Sequence, residues 1–248
     1  MAGMFGKLRV RLVKGLIELN ERYVFERRIA RAYRNLLGSP PCQVIDVGAN
    51  NGQTIEFFLR MSPDCVVHAL EPNRRLFEGL QARYGGRPNI RLHEVGASDS
   101  NGERTFNENI LDYTSTFEEV DLGSDYLQKK SRVLGVAPDK LVTARYPVRT
   151  VALSSFIAEH VQGAVDVIKI DVEGHEHACL VGLLNGTVPV PVNFIQLEHH
   201  KDDMYANKAG MAEMDALLKA HGYILKATIP HGFGELDEVI YGRMGPTP

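Results

Sequence analysis

The chain has no tryptophan and only three cysteines. It also has no uninterrupted apolar run near the roughly 18 residues that cross a bilayer. These absences exclude an integral helical membrane protein and argue against a disulfide scaffold. Cys42, Cys65 and Cys179 are odd in number, far apart and outside any CxxC pair, so they read as reduced core thiols of a cytosolic protein. Charge of one sign is also lacking: 28 Lys and Arg face 31 Asp and Glu, a net of -3, which disfavours a general nucleic-acid binder. Across 248 residues, 44% are hydrophobic and 24% charged, the balance of one globular domain. Such a chain buries roughly 70 to 75% of its unfolded surface and needs no staple.

That charge is unevenly spread. Residues 1–40 carry nine Lys and Arg against three Glu, leaving the remainder at -9. Within them Leu8, Leu12, Leu16, Leu19 and Tyr23, then Phe25, Ile29, Tyr33 and Leu37, recur every three or four residues. The spacing predicts one or two amphipathic helices, decorated by Arg9, Arg11, Lys14, Arg27, Arg28, Arg31 and Arg34. Charges interrupt every apolar segment, so no signal peptide is expected. The extension reads as a cap packed on a sheet or on a second subunit, and its basic face leaves open contact with an anionic membrane surface through residues 1–37.

Gly38, Ser39, Pro40 and Pro41 break this pattern, and apolar strands then alternate with helices. Strands are expected at 43–47, 66–70, 90–95, 165–170, 194–197, 223–227 and 239–241. Several are nearly continuous apolar runs, as in a parallel sheet covered on both faces. The fold class is therefore α/β, an open, doubly wound, mostly parallel sheet over residues 41–248. In such sheets ligands sit beyond the carboxyl ends of the strands.

The first such end reads Val44-Ile45-Asp46-Val47-Gly48-Ala49-Asn50-Asn51-Gly52, followed by an amphipathic stretch from Gln53 and Thr54. Glycines allow a tight turn and close approach, and the following helix N-terminus attracts a carboxylate or phosphate. The GxxxG spacing lacks the middle glycine that dinucleotide pyrophosphates use, which weighs against a nicotinamide oxidoreductase. The second end, Glu71-Pro72-Asn73, puts a carboxylate where ribose hydroxyls are held. The third, Ala97-Ser98-Asp99, offers an adenine corner, and Asn101-Gly102 after it reads as a hairpin turn.

These segments, VIDVGANNGQT, ALEPN, GASDSNGERTF, STF, RTVALSSFI, VIKIDVEGHE and FIQLEHH, together resemble the FkbM family of S-adenosylmethionine-dependent methyltransferases. The resemblance spans residues 43–200. It implies a class I methyltransferase fold, with seven strands and the last antiparallel, and methyl transfer to a hydroxyl of a sugar, glycolipid or macrolide-like product. The chain departs at 151–155, where relatives often have Asp after the Leu; Ser reads there as a helix N-cap. On this reading Asp46, Gly48, Ala49, Asn50, Gly52, Thr54, Glu71, Pro72, Asn73, Ala97, Ser98 and Asp171 hold S-adenosylmethionine. Glu71 takes the ribose, and Asp171 faces the methyl donor.

A protonated sugar hydroxyl is a weak nucleophile, so a positioned base is sought at the fourth and fifth strand ends. Asp171, His175, His199 and His200 are the candidates, with His199 or His200 preferred because a neutral imidazole accepts protons near neutral pH. Ser115, Thr116, Phe117, Glu173 and Glu198 are expected to face the acceptor. Glu173 and Glu176 also suit the start of a helix. No metal is assigned, although Asp171, Glu173, His175, Glu198 and His200 offer oxygen and nitrogen donors without a strict ligand spacing. Residues 122–145 read as a substrate lid or specificity insert, and Phe106, Tyr113 and Phe117 as rings that stack on a sugar or fill a hairpin core. A non-catalytic nucleotide-binding scaffold and a homodimer both stay open.

Overall fold

The computed structural model describes residues 26–110, 114–119, 124, 132, 137, 140–200, 210–230 and 236–245, with the side chain of His200 outside that description. Residues 1–25, which hold most of the expected basic extension, Tyr113, and most of the 122–145 segment also lie outside it.

Seven strands form one sheet: β1 (Gln43–Val47), β2 (Val66–Leu70), β3 (Ile90–His93), β7 (Val165–Ile170), β8 (Val192–His200), β9 (Tyr223–Pro230) and β10 (Leu236–Arg243). Their order is β3-β2-β1-β7-β8-β10-β9. All neighbours pair in parallel except β10, which runs antiparallel to both β8 and β9. The chain therefore reverses its winding between β1 and β7, and the crevice at that switch point is where a ligand enters.

Helices cover both faces. Against one face lie α1 (Glu26–Leu37), α2 (Gln53–Met61) and α3 (Arg74–Tyr84), which bury Ile29, Tyr33, Ile55, Phe58, Leu80 and Tyr84 against Val44, Val67, Val167 and Ile240. Tyr33, Phe57 and Phe58 pack with ring centroids 5.0 to 6.2 Å apart. Such pairs contribute about 0.5 to 1.5 kcal/mol beyond the area they bury. Gly38, at φ +67°, ends α1. Against the other face lie α4 (Leu153–His160), α5 (Glu176–Leu184) and α6 (Met211–Ala220), which bury Phe156, Ile157, Leu180, Leu183 and Leu218. Cys65 and Cys179 are core thiols as expected, but Cys42 is exposed because it precedes β1 in the entering turn.

The second face holds a polar anomaly. His68 of β2 is fully buried, and neither ring nitrogen has a hydrogen-bond partner. It stacks on His93, whose ring meets Phe156 and His160 at 4.8 and 5.0 Å. Burial, followed by the neighbouring imidazoles, pushes both His68 and His93 down to about 4.

A second, three-stranded sheet is built from β4 (Gly96–Ser98), β5 (Gly102–Asn109) and β6 (Val142–Ala152), in the order β4-β6-β5. Asn101-Gly102 thus reverses the chain without making a hairpin, because β6 lies between the two strands it joins. The N-cap expected of Ser is also absent. Helix α4 starts after Ala152, whose N–H donates to Asn101 Oδ1 at 2.8 Å, while Ser154 donates to Gly182 O.

Candidate cofactor and acceptor site

The glycine bend after β1 depends on positive φ at three positions: Gly48 at 87°, Asn50 at 48° and Gly52 at 85°. A Cβ on Gly48 would stand 2.0 Å from the Asp171 carbonyl oxygen, so only glycine lets the ends of β1 and β7 meet. A Cβ on Gly52 would meet the Tyr84 ring at 2.8 Å. Helix α2 begins at Gly52 with no side-chain cap, which leaves its first N–H groups for a bound carboxylate.

Glu71, buried to 4% exposure, ties the second strand end to this bend. Its Oε2 accepts the Asn50 N–H at 2.7 Å and its Oε1 the Asn73 N–H at 2.8 Å. A carboxylate at this strand end is also an acceptor for ribose hydroxyls. Glu71 is not a helix cap: Asn73 caps α3, its Oδ1 accepting from Arg75 and Leu76 N–H. Asn73 therefore offers only its Nδ2 to a ligand.

Beneath the bend a row of polar groups crosses the sheet on the α1 face. Asp46, Lys169 and Gln196 are aligned by the β1–β7 and β7–β8 registers. Asp46 is fully buried. Thr54 lies close enough to favour its ionised form, yet neither carboxylate oxygen completes a well-formed hydrogen bond. Burial, against the pull of Lys169, pushes this carboxyl up to about 7. Lys169 donates to Asp171 Oδ2 at 2.6 Å. Burial alone would lower its pKa, but Asp171, Glu238 and Asp46 together hold it above the ordinary lysine value. Gln196 donates to Glu238 at 2.7 Å and accepts from Tyr33 of α1.

At the carboxyl ends of β7 and β8, Asp171, Glu173 and Glu198 bring one oxygen each within 4.8 Å of one another. Asp171 thus joins this group to the Lys169 ammonium, which Glu238 and Asp46 also hold, and the carboxylates together make a basin suited to a cationic ligand or ion. Glu173 is not helical: it sits in the turn before α5 at φ 56°. Glu176 is the first residue of α5, and its carboxylate accepts from Val172 and Gly174 N–H.

The histidines divide. His175 is 3% exposed, with Nε2 2.9 Å from Ser98 Oγ and Nδ1 2.6 Å from Glu118 Oε1. Both ring nitrogens are occupied, so it braces the site and is not a free base, and Ser98 spends its hydroxyl on the same contact. His199 follows Glu198 in β8, so strand alternation carries it to the face opposite Lys169, Gln196 and Glu198. His200 ends β8, and its side chain lies outside the described residues.

Of the residues expected at the acceptor, Thr116 Oγ1 reaches Val172 O at 3.4 Å, and Ser115 Oγ accepts the Asn109 N–H. Phe117 instead lies over Gly96 beside Pro72, where a glycine Cβ would be 2.4 Å from its ring. It packs edge-on to Phe106, which is buried as core. Ala97 is buried beneath it, its carbonyl accepting from Cys179 Sγ. The sequence pattern missed the Lys169–Asp171 pair, the Tyr33–Gln196–Glu238 chain and Glu118. A lysine inside the apolar strand VDVIKI was the one visible signal.

Comparison with known proteins identifies the family. The methyltransferase FkbM domain model matches residues 46–225. The chain is 26% identical over 208 residues to the 2-O-methyltransferase NoeI of Sinorhizobium fredii, covering 83% of this chain and 82% of that protein. It is 28% identical to the 31-O-demethyl-FK506 methyltransferase FkbM of Streptomyces tacrolimicus, covering 74% and 73%. Among solved structures it is similar to the magnesium protoporphyrin IX methyltransferase of Synechocystis PCC 6803 with bound S-adenosylmethionine, at 12% identity and a TM-score of 0.48 over 92% of this chain and 83% of that one. The family match covers well over half of the chain, which belongs to the FkbM family of S-adenosylmethionine-dependent methyltransferases.

Proposed function

We propose that the chain methylates a hydroxyl group of a saccharide, glycolipid or related natural product. The observation that carries this reading is the convergence of Asp171, Glu173 and Glu198 directly beside the glycine bend. S-adenosylmethionine supplies an electrophilic methyl on a sulfonium when bound. The Gly48–Gly52 bend, with Ala49 and Asn50 between, takes its carboxylate end. Glu71 accepts from the ribose, and Pro72, Ala97 and Ser98 line the nucleoside side. Asp46, Thr54 and Asp171 offer negative or polar character to its cationic end.

The acceptor hydroxyl is oriented and relieved of its proton by the carboxylates at the ends of β7 and β8. Asp171, fixed by the Lys169 ammonium, cannot swing away. Glu198 is the residue across the strand gap from it. Positioning two reactants so contributes as much as roughly 7 to 11 kcal/mol, and a base about 10² to 10⁴ in rate. The names of the two curated relatives, both O-methyltransferases by those names, support a hydroxyl acceptor. Transfer of a tritiated methyl group into a panel of saccharides and glycolipids, with mass spectrometry of the product, tests this. A product methylated on nitrogen or carbon overturns it.

A second reading follows from the same oxygen triad. Three carboxylate oxygens within 4.8 Å can hold a hard divalent cation, which would acidify the acceptor hydroxyl. Loss of turnover on chelation with recovery on added magnesium supports it, and full turnover after chelation removes it.

A further inference from the structure

On the outer side of α1, a depression of about 520 Å³ is lined by Arg27, Arg28, Arg31, Ala32, Asn35, Leu36, Lys226 and Ala227. It holds four cations and no carboxylate. Among the described residues no acidic side chain pairs with Arg27, Arg31 or Lys226, and Arg28 is held by the Pro230 carbonyl at 3.3 Å. Four like charges around one hollow repel one another, and an anionic partner removes that cost.

The fold brings Lys226 there by a specific device. The β9–β10 register slips between Ile240 and Tyr241, so Lys226 is left without a partner position between Leu225 and Ala227. A bulge of this kind re-aims a side chain. The stem of Lys226 then lies over Gly242, where any Cβ would be 3.0 Å from its Cγ and Cε. The lysine stem thus lies where Gly242 has no side chain, while Lys226 stays exposed and joins arginines from a helix distant in sequence.

Charge identifies the occupant. Residues 1–25 cannot neutralise the hollow, since they carry five Lys and Arg against two Glu. The hollow itself is lined by Ala32, Leu36 and Ala227 as well as by its cations, and apolar side chains among basic ones fit a lipid interface better than a nucleic-acid backbone.

We propose that the α1 face and Lys226 form a docking surface for an anionic membrane, with lipid phosphates entering the arginine-lined hollow. The lining of the surface includes none of the carboxylates at the ends of β7 and β8, so it orients the enzyme on a bilayer without occupying its site. The inference is independent of the acceptor's identity.

The test is flotation of the full chain with vesicles of phosphatidylcholine alone or mixed with phosphatidylglycerol, at low and high salt. The expected result is binding to the mixed vesicles only, weakened by salt. Each basic residue near such a surface contributes about fivefold. The variant Arg27→Gln/Arg31→Gln/Lys226→Gln, which changes exposed side chains alone, should therefore partition about a hundredfold less while binding S-adenosylhomocysteine as before. Equal flotation of the variant and the parent overturns the proposal, as does absence of binding by the parent. Displacement by millimolar inorganic phosphate would mark a soluble phosphate ligand, and equal retention on RNA would mark a general polyanion site; either also overturns it.

Discussion

Replacing Gly48 with alanine tests whether the glycine bend is dictated by the meeting of β1 and β7. Two costs are separable. The first is conformational: φ of 87° in a residue with a Cβ costs on the order of 1 to 2 kcal/mol. The second is steric: the new methyl would lie 2.0 Å from the Asp171 carbonyl oxygen and 3.1 Å from its carbon, so one strand end must retreat by about 1 Å or more. Overpacking of this kind costs roughly 1 to 3 kcal/mol. Gly38→Ala isolates the first cost, because Gly38 has φ +67° and nothing within 4 Å of its would-be Cβ. For a chain of this size about 1 kcal/mol shifts the melting temperature by roughly 2 to 4 °C. Gly48→Ala should therefore melt roughly 4 to 20 °C below the parent, and Gly38→Ala only roughly 2 to 8 °C below it. Because the shift moves Asp171 itself, turnover should fall about a hundredfold in Gly48→Ala and stay unchanged in Gly38→Ala. Calorimetric melts and single-turnover methyl transfer read both. Equal melting of the two variants, or full turnover in Gly48→Ala, would refute the reasoning.

Other expectations follow from the buried polar groups. Lys169→Met leaves Asp171, Asp46 and Glu238 without their shared cation and should cost about 3 to 5 kcal/mol in urea unfolding; a cost under 1 kcal/mol would show that the pair is dispensable. His68 and His93 have folded values near 4 against about 6.5 unfolded, so their contribution is complete above pH 6.5 and is lost as the pH falls toward 4. His68→Phe should flatten the loss of stability across that window, and an unchanged acid limb would contradict the assignment. Asp46 acts in the opposite sense. Its carboxyl, near 7 folded and about 3.9 unfolded, favours the fold most below pH 4 and loses that contribution as the pH rises through 7. Asp46→Asn should accordingly raise stability more at pH 8 than at pH 5.

Legibility in the sequence followed burial. Strands β1, β2 and β7 are read at the same limits as in the structure, because VIDV, VVHAL and VDVIKI are nearly continuous apolar runs between turn residues. The small sheet was not legible. Strand β6, VTARYPVRTVA, alternates between intermediate and exposed positions over its first eight residues and carries Pro147, so nothing marks it as the middle strand of a sheet. Glu71 and Asp171 could be singled out as candidates because residues that follow a strand in an α/β sheet face the ligand crevice. Lys169 and Gln196 were not, since their proximity to Asp46 exists only once β1, β7 and β8 lie side by side. His199 was overvalued for a related reason: identity and pKa suggested a base, but the two-residue strand period decides which face it occupies.

The account rests most directly on Glu71 and the glycine bend as the seat of the cofactor. Titration calorimetry of S-adenosylhomocysteine into the parent and into Glu71→Gln measures it. Exchanging a charged acceptor of ribose hydroxyls for a neutral one costs roughly 1.5 to 3 kcal/mol, about 10- to 150-fold in affinity. The account predicts clear saturable binding by the parent and that loss in the variant. Identical affinities in the two proteins would contradict it.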